Sequence, residues 1–238
     1  MKKLFVITLV LLFVGVINIA QAQSLDDVLE KHFKAVGQDK LVAAQTYFLK
    51  AKISQMGMEL PMELKMQRPN KFRIEMEMQG QKMIQAYDGE KGWMIAPWIS
   101  TDPQELAGEQ LKQAMEQADF EGELYNYEKK GHSADFIGKV NVDGKEAYRI
   151  KLTTGDGSIK NYFIDAGTDL IFKVKAKVSA MGQEVEVEQK MSEYKDFGGV
   201  FMATKMESLT AMGNVSIIIE EFKVNQKFDE AIFKQPVK

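Results

Sequence analysis

The stretch from Met62 to Trp98 constrains the fold most, because apolar and charged residues alternate along it. Over residues 72–78 the apolar positions are Phe72, Ile74, Met76 and Met78, and the charged positions are Arg73, Glu75 and Glu77. A period of two is the pattern of a β-strand that buries one face and leaves the other in water. We therefore predict successive antiparallel strands here, with one apolar face.

Many apolar positions in this third of the chain are methionine: Met56, Met58, Met62, Met66, Met76, Met78, Met83 and Met94. A methionine stripe at strand spacing is more commonly a protein core than a binding surface. Methionine is flexible, however, and repacks around apolar guests of variable shape. Its clustering therefore leaves two interpretations open, a core and a surface that accepts lipid.

The N-terminus has the organisation of an export signal. Lys2 and Lys3 precede an apolar run from Leu4 to Ile17, and the small-x-small sequence ending at Ala22 follows. The run is shorter than the roughly 20 residues that a membrane-spanning helix needs. We expect a signal peptide over residues 1–22, cleavage after Ala22, a periplasmic protein that is not lipidated, and a single domain over residues 23–238.

Composition argues against several kinds of chemistry. The chain has no cysteine, so disulfides, thiolate nucleophiles and acylation of a cysteine do not arise. Its net charge is −3 without a basic patch, which argues against nucleic-acid binding. His32 and His132 lie outside any metal-ligand spacing, and both are predicted to be surface residues. We expect no enzyme, metal or cofactor; carboxylates paired by folding, as in a hydrolase, are the alternative.

Two helices are predicted within a mainly β chain. The first spans Ser24 to Val36, with Ser24 as N-cap, and ends near Gly37. The second runs from Pro103 to about Ala118. Most of the remaining chain alternates with period two between turn signals, which predicts one large, curved antiparallel sheet with helices on its inner face, an α+β fold.

Three motifs resemble those of a known family. They are Gln67-Arg68-Pro69-Asn70-Lys71-Phe72, then Tyr87-Asp88-Gly89-Glu90-Lys91-Gly92-Trp93 followed by Pro97, and finally Phe228-Asp229-Glu230-Ala231-Ile232-Phe233-Lys234-Gln235-Pro236. Their order and spacing are similar to those of the outer-membrane lipoprotein carriers, the LolA/LolB-like periplasmic proteins. The resemblance implies an unclosed antiparallel β-barrel, a half-barrel, whose concave face is lidded by helices.

The resemblance also implies a function in outer-membrane biogenesis. Such a carrier binds the acyl chains of lipoproteins or lipids, receives them from an inner-membrane release complex and delivers them to an outer-membrane acceptor, as a monomer. In the family the arginine of Arg-Pro-Asn hydrogen-bonds to the lid and holds it shut, a gating role that falls on Arg68. The alternative is that Arg68 is an exposed charge at the end of a strand. The long acidic segment between Gln104 and Tyr127 departs from the family and indicates a different lid.

The candidate cavity-lining residues share an apolar strand face: Met62, Leu64, Met66, Phe72, Ile74, Met76, Met78, Phe172 and Val174. The pattern leaves the inward side open where both sides of a strand are apolar, at Met83-Ile84 and at Ile217-Ile218-Ile219. The rival hypothesis is a non-enzymatic envelope scaffold whose interior is filled by its own side chains and whose partners bind elsewhere.

Overall fold

A computed structural model describes residues 23–180, 183–210 and 213–236 of the chain. The predicted signal peptide lies outside these residues. The helices are α1 Leu25–Val36, α2 Gln38–Ala43 and α3 Gly108–Gln117, and two short 3-10 helices span Tyr127–Lys130 and Glu230–Phe233. The strands are β1 Thr46–Gln55, β2 Met58–Gln67, β3 Lys71–Met78, β4 Gln81–Tyr87, β5 Gly92–Ala96, β6 Ser100–Glu105, β7 Ser133–Val142, β8 Lys145–Thr153, β9 Ile159–Asp165, β10 Ile171–Ala180, β11 Gln183–Asp196, β12 Phe201–Thr210 and β13 Gly213–Val224.

The strands form one antiparallel sheet in the order β6-β5-β4-β3-β2-β1-β13-β12-β11-β10-β9-β8-β7. Two meanders, β1 to β6 and β7 to β13, are joined where β1 pairs with β13. Among the described residues β6 and β7 remain at the two edges, so the sheet does not close. The predicted α+β half-barrel is confirmed.

Strand register decides which side chains share the inner face, the face that packs against the helices. Met62 lies opposite Met76, and Met76 lies opposite Met83. Met83 therefore points inward and Ile84 outward, because successive strand residues alternate between faces. On β13 the same argument places Ile217 and Ile219 in the inner core, whereas Ile218 is half exposed on the other face.

Helix α1 forms as predicted because its sequence supplies both caps. The Ser24 hydroxyl accepts a hydrogen bond from the Asp27 amide, and the Asp27 carboxylate accepts one from the Ser24 amide. Gly37 ends the helix with φ of 68°, a conformation that glycine adopts without steric cost. The short helix α2 follows at once and was not predicted.

The predicted start of the second helix at Pro103 is wrong. Residues Ser100–Glu105 form the edge strand β6, in which Gln104 pairs with Met94 of β5, and α3 begins only at Gly108. An edge strand tolerates proline because the missing N–H can face away from its one neighbour. The Thr101-Asp102-Pro103 sequence, which resembles a helix start, is thus accommodated in a strand.

Three apolar clusters fill the space between sheet and helices. The lid cluster contains Ala44, Met66, Phe72, Tyr87, Leu106, Ala114, Ala118 and Phe120. The central cluster contains Leu49, Ala51, Val200, Ile219 and Phe222. The α1 cluster contains Val28, Leu29, Leu124, Ile150, Leu152 and Ile164. Helix α3 thus covers one half of the inner face and α1 the other.

The prediction that His32 is a surface residue is wrong. His32 lies on the buried side of α1, and its Nδ1 is 2.9 Å from the Asp169 carbonyl oxygen in the β9–β10 turn. Burial lowers the pKa of the imidazole, and the Asp169 carbonyl opposes this effect only in part. Leu25, Val28, Leu29 and His32 are spaced i, i+3, i+4 and i+7, so the helical pattern already places His32 on the apolar side, but the Asp169 carbonyl lies 137 positions away and could not be predicted.

Candidate functional site

The predicted lining residues of β2 and β3 form one continuous inner surface. Met66 and Phe72 are opposite each other and are at most 1% exposed within the lid cluster. Leu64 and Ile74 pack at the border of that cluster. Farther along the same face, Met62 packs against the central cluster, and Met76 and Met78 are partly buried.

Phe172 and Val174 are not brought to this surface, because four strands separate β10 from β2. Val174 lies opposite Tyr162, which packs against the α1 cluster. Phe172 lies at an irregularity between Ile171 and Lys173, and the Lys145 ammonium is 5.2 Å from its ring centre. A bulge of this kind interrupts the two-residue alternation on which the prediction depended.

The lid over Met66 and Phe72 consists of α2, α3 and residues 118–124. Leu106, Ala114, Ala118 and Phe120 are buried against the sheet, and Leu41 packs beside them. The lid lies so close to β5 that the strand has a glycine at the point of contact. A Cβ atom at Gly92 would lie 2.9 Å from the Leu106 side chain and 3.3 Å from that of Leu111. Glycine at this position lets the lid lie directly on the sheet.

Arg68, directly after β2, binds two parts of the lid, the end of α2 and the segment 118–124. Its Nε donates to the Ala44 carbonyl at 2.7 Å, and its Nη2 donates to the Leu41 carbonyl at 3.3 Å. Its Nη1 donates to the Glu121 carboxylate at 2.9 Å. The guanidinium suits this position because it has five donors in a rigid plane, and because the carbonyls at the end of α2 carry partial negative charge.

Phe120 completes the Arg68 cluster, defined here as Arg68, Phe120, Glu121 and the Leu41 and Ala44 carbonyls. The guanidinium carbon lies 4.4 Å from the Phe120 ring centre, which places the cation over the π face. The same ring contacts Tyr47 on the side of the sheet, with 4.7 Å between ring centres. Arg68 therefore clamps a lid aromatic over the apolar interior.

Acidic residues attach the lid on its other side as well. Glu123 accepts hydrogen bonds from Lys160 and from the Tyr162 hydroxyl, both on β9. Asp119 binds Lys130 at 2.7 Å, and Lys112 of α3 binds Asp156 of the β8–β9 turn at 2.9 Å. Segment 118–124 is therefore fastened to both halves of the sheet.

A pocket of about 500 Å³ opens beside the Arg68 cluster. Its wall includes the charged or titratable side chains Lys112, Glu116, Asp119, Glu121, Glu123, Lys130 and His132. Three of the four carboxylates are bound to a cation, Asp119 to Lys130, Glu121 to Arg68 and Glu123 to Lys160. These three ion pairs hold the segment 118–124 in place.

Sequence reasoning identified Arg68 but not its partners. Glu121 lies 53 positions away and Ala44 lies 24 positions away in the opposite direction. The one available signal was the run of acids between Gln104 and Tyr127, which marked the lid as charged without saying which acid meets Arg68. Among the described residues, no helix is long and apolar enough to cross a membrane, and no cluster of His, Asp or Glu side chains could hold a metal ion.

No protein-family model and no curated protein sequence matches the chain. Solved structures do. A LolA superfamily protein from Nitrosomonas europaea is 13% identical, with a TM-score of 0.59 over 90% of this chain and 98% of that one. A putative outer-membrane lipoprotein-sorting domain from Vibrio parahaemolyticus is 10% identical, with a TM-score of 0.58 over 87% and 97%.

A DUF1329 family protein from Desulfovibrio piger is 15% identical, with a TM-score of 0.59 over 87% of this chain and 97% of that one. Identities this low support a statement about fold and none about activity. The predicted resemblance is confirmed at that level: the chain folds as an unclosed, helix-lidded half-barrel similar to those of LolA superfamily and lipoprotein-sorting proteins.

Proposed function

We propose that this protein is a non-enzymatic periplasmic carrier that binds the acyl chains of lipoproteins or lipids between the inner face of its sheet and its lid. The observation that carries the proposal is the Arg68 cluster, a set of polar contacts that holds the lid over a mainly apolar surface. Likeness to a lipoprotein-sorting domain supports the same class of cargo. Delivery from an inner-membrane complex to an outer-membrane acceptor is part of the proposal.

In the structure the lid is closed over the inner face of the sheet. Phe120 and the apolar side of α3 occupy the surface of Met66 and Phe72, so an acyl chain must displace the lid in order to bind there. Burial of a chain gains about 0.8 kcal/mol per methylene, or on the order of 10 kcal/mol for a chain of about 16 carbons. That gain is large enough to replace the apolar contacts of the lid and to break a few hydrogen bonds.

Arg68→Leu is the decisive variant, because it keeps an apolar stem and removes the three hydrogen bonds that Arg68 donates to the lid. Hydrogen bonds to a charged group contribute about 2 kcal/mol, so the open population should rise about 30-fold. We expect faster uptake of a fluorescent fatty acid, measured by stopped flow. The matched control is Arg149→Leu, which removes an arginine that binds Asn161 at 2.9 Å on β9, away from the lid.

The carrier proposal fails if neither the unmodified protein nor Arg68→Leu takes up fatty acid or acylated peptide. Native mass spectrometry of protein purified gently from its host supplies the cargo class, through any acylated mass that co-purifies. If uptake occurs equally in both proteins, Arg68 does not gate the interior, although the carrier proposal survives.

The scaffold alternative keeps one observation in its favour, the filled interior. Met66 and Phe72 have all their surface covered by the protein's own side chains. A scaffold needs this packing permanently, whereas a carrier needs it only between cargoes. Arg68→Leu separates the two, since opening a scaffold would lower its stability without conferring lipid uptake.

A further inference from the structure

Exposed apolar side chains concentrate at one end of the sheet. In an antiparallel meander alternate turns lie at the same end, so the β1–β2, β3–β4 and β5–β6 turns share one rim, and pairing places the neighbouring ends of β12 and β13 beside Gln55 on it. Of the nine large apolar residues exposed among the described residues, five lie on this rim. They are Met56, Met58, Trp98, Ile99 and Leu209. We call them the apolar rim.

Met56 shows that these side chains do not serve folding. It has φ of 51°, followed by Gly57 at 79°, the two-residue hairpin geometry that favours asparagine, aspartate or glycine first. Two other hairpins share this geometry and have a polar first residue, Gln79 before Gly80 and Asp143 before Gly144. Met56 instead places a 73% exposed apolar side chain in a conformation that methionine disfavours.

The β5–β6 turn also exposes large apolar side chains, and they are bulkier than Met56. It runs from Ala96 through Pro97 to Trp98 and Ile99, and the Ile99 amide donates to the Ala96 carbonyl at 2.7 Å. Trp98 is half exposed and Ile99 is 74% exposed. This hydrogen bond closes the turn, which presents Trp98 and Ile99 to the exterior.

The apolar inner face of the sheet extends as far as the apolar rim. Met66 and Phe72 lie under the lid at the far end of β2 and β3, and Met62 opposite Met76 comes next. Beyond them, β2 begins at Met58 on the rim. Apolar surface thus continues from the lid cluster to the exposed turns.

A lipid bilayer fits this surface better than a folded partner. The apolar side chains project from separate turns with polar residues such as Gln79 between them, whereas a stable protein interface buries roughly 800 Å² of complementary surface on each side. Tryptophan is favoured at the boundary between lipid headgroups and acyl chains. Nearby lysines are already paired, Lys52 with Glu220 at 2.9 Å and Lys82 with Glu75 at 2.7 Å.

We propose that the apolar rim contacts the surface of a lipid bilayer and inserts Met56, Trp98 and Ile99 at its interface. The contact is apolar, so it does not require anionic lipid. It goes beyond the proposed carrier function, since a scaffold could dock on a membrane in the same way. For a carrier, this contact would bring the rim end of the inner face, at Met58, Met62 and Met76, to the place where lipid is exchanged.

Flotation with vesicles of phosphatidylethanolamine and phosphatidylglycerol tests the proposal without any cargo. We expect the protein to float with the vesicles, with little change in high salt or at lower phosphatidylglycerol content. The double variant Met56→Asn, Ile99→Ser should partition about tenfold more weakly, because two exposed apolar anchors are lost. Met56→Asn also suits the turn, so folding is preserved.

Gln79→Asn is the matched control, in a neighbouring turn of the same geometry, and should float normally. Gln79→Met should bind more tightly than the unmodified protein. Lipids brominated on their acyl chains should quench Trp98 fluorescence, a signal that Trp98→Phe removes and that the buried Trp93 does not give.

The membrane proposal is overturned if the protein does not float, or if the double variant and Gln79→Asn float equally. Binding only to anionic vesicles at low salt would also contradict it, because that is electrostatic adsorption. Self-association in sedimentation that the double variant abolishes, without flotation, would assign the rim to a second copy of the chain. Fatty-acid uptake in vesicle-free solution tests the carrier function separately.

Discussion

Replacing Phe72 by alanine is expected to lower the free energy of unfolding by about 3–5 kcal/mol, measured by urea denaturation. Phe72 has no exposed surface and lies between Met66 and Tyr87 in strand register, beneath the lid. The loss combines the apolar transfer energy of the ring with the cavity left behind, because residues on three neighbouring strands cannot collapse into the space.

The same substitution at Phe172 is the matched control. Phe172 is partly exposed, lies on β10 and belongs to none of the three clusters among the described residues. We expect Phe172→Ala to cost no more than about 1 kcal/mol, since less surface returns to water. Equal losses for the two variants would contradict the placement of the core on the β2–β4 face.

Phe72→Ala also bears on the binding site. The cavity it leaves is apolar and lies in the lid cluster, which also contains Phe120 and where the proposed acyl chain would lie. We expect the variant to bind a small apolar probe more tightly than the unmodified protein, provided that it is assayed well below its unfolding midpoint. A more stable or unchanged variant would mean that the ring is not part of the packed interior.

The sheet could be predicted from sequence because its signal is local. A strand alternates with period two, so Phe72, Ile74 and Met76 had to share a face whatever their partners were. The prediction was wrong where one local sequence is compatible with two structures. Pro103 suits both the first turn of a helix and an edge strand, and only pairing with β5 decides between them.

The candidate site was predictable in part for the same reason. Arg68 stood out through its motif, yet its contacts are with Glu121 and with carbonyls at the end of α2, a helix too short to predict. Phe172 was misplaced relative to Met66 because a bulge and four intervening strands are properties of pairing. Distances between elements are set by tertiary packing, which single-residue patterns do not encode.

The two faces of β3 contact different parts of the molecule. Phe72, Ile74 and Met76 face the lid, whereas Arg73 and Glu75 face outward under the C-terminal 3-10 helix. Arg73 donates to the Ile232 carbonyl at 2.8 Å, and Trp93 donates to the Phe233 carbonyl at 2.8 Å. These hydrogen bonds fix the outer face, so in the proposed carrier the sheet would keep its shape while the lid on the inner face opened.

Glu75 is the centre of that outer face. Its carboxylate accepts hydrogen bonds from Arg73 at 2.7 Å and Lys82 at 2.7 Å, and Lys65 lies 3.6 Å away. Burial alone would raise the pKa, but the hydrogen bonds from Lys82 and Arg73 and the nearby positive charges outweigh it and bring the pKa to about 2. The charged form is thus strongly preferred in the folded protein.

The acid sensitivity of the fold should therefore depend on Glu75. Because its pKa is lower folded than unfolded, the unfolded chain binds more protons at acid pH, and stability present above about pH 5 is lost as the pH falls towards 2. Glu75→Gln is expected to cost up to about 3 kcal/mol at pH 7, because it leaves Arg73 without its anion, and to flatten the loss of stability between pH 5 and 3. Urea denaturation at several pH values measures both effects. Glu220→Gln, which breaks the exposed pair with Lys52, is the control and should leave the acid profile nearly unchanged; a Glu75→Gln profile as steep as that of the unmodified protein would show that other carboxylates govern acid unfolding.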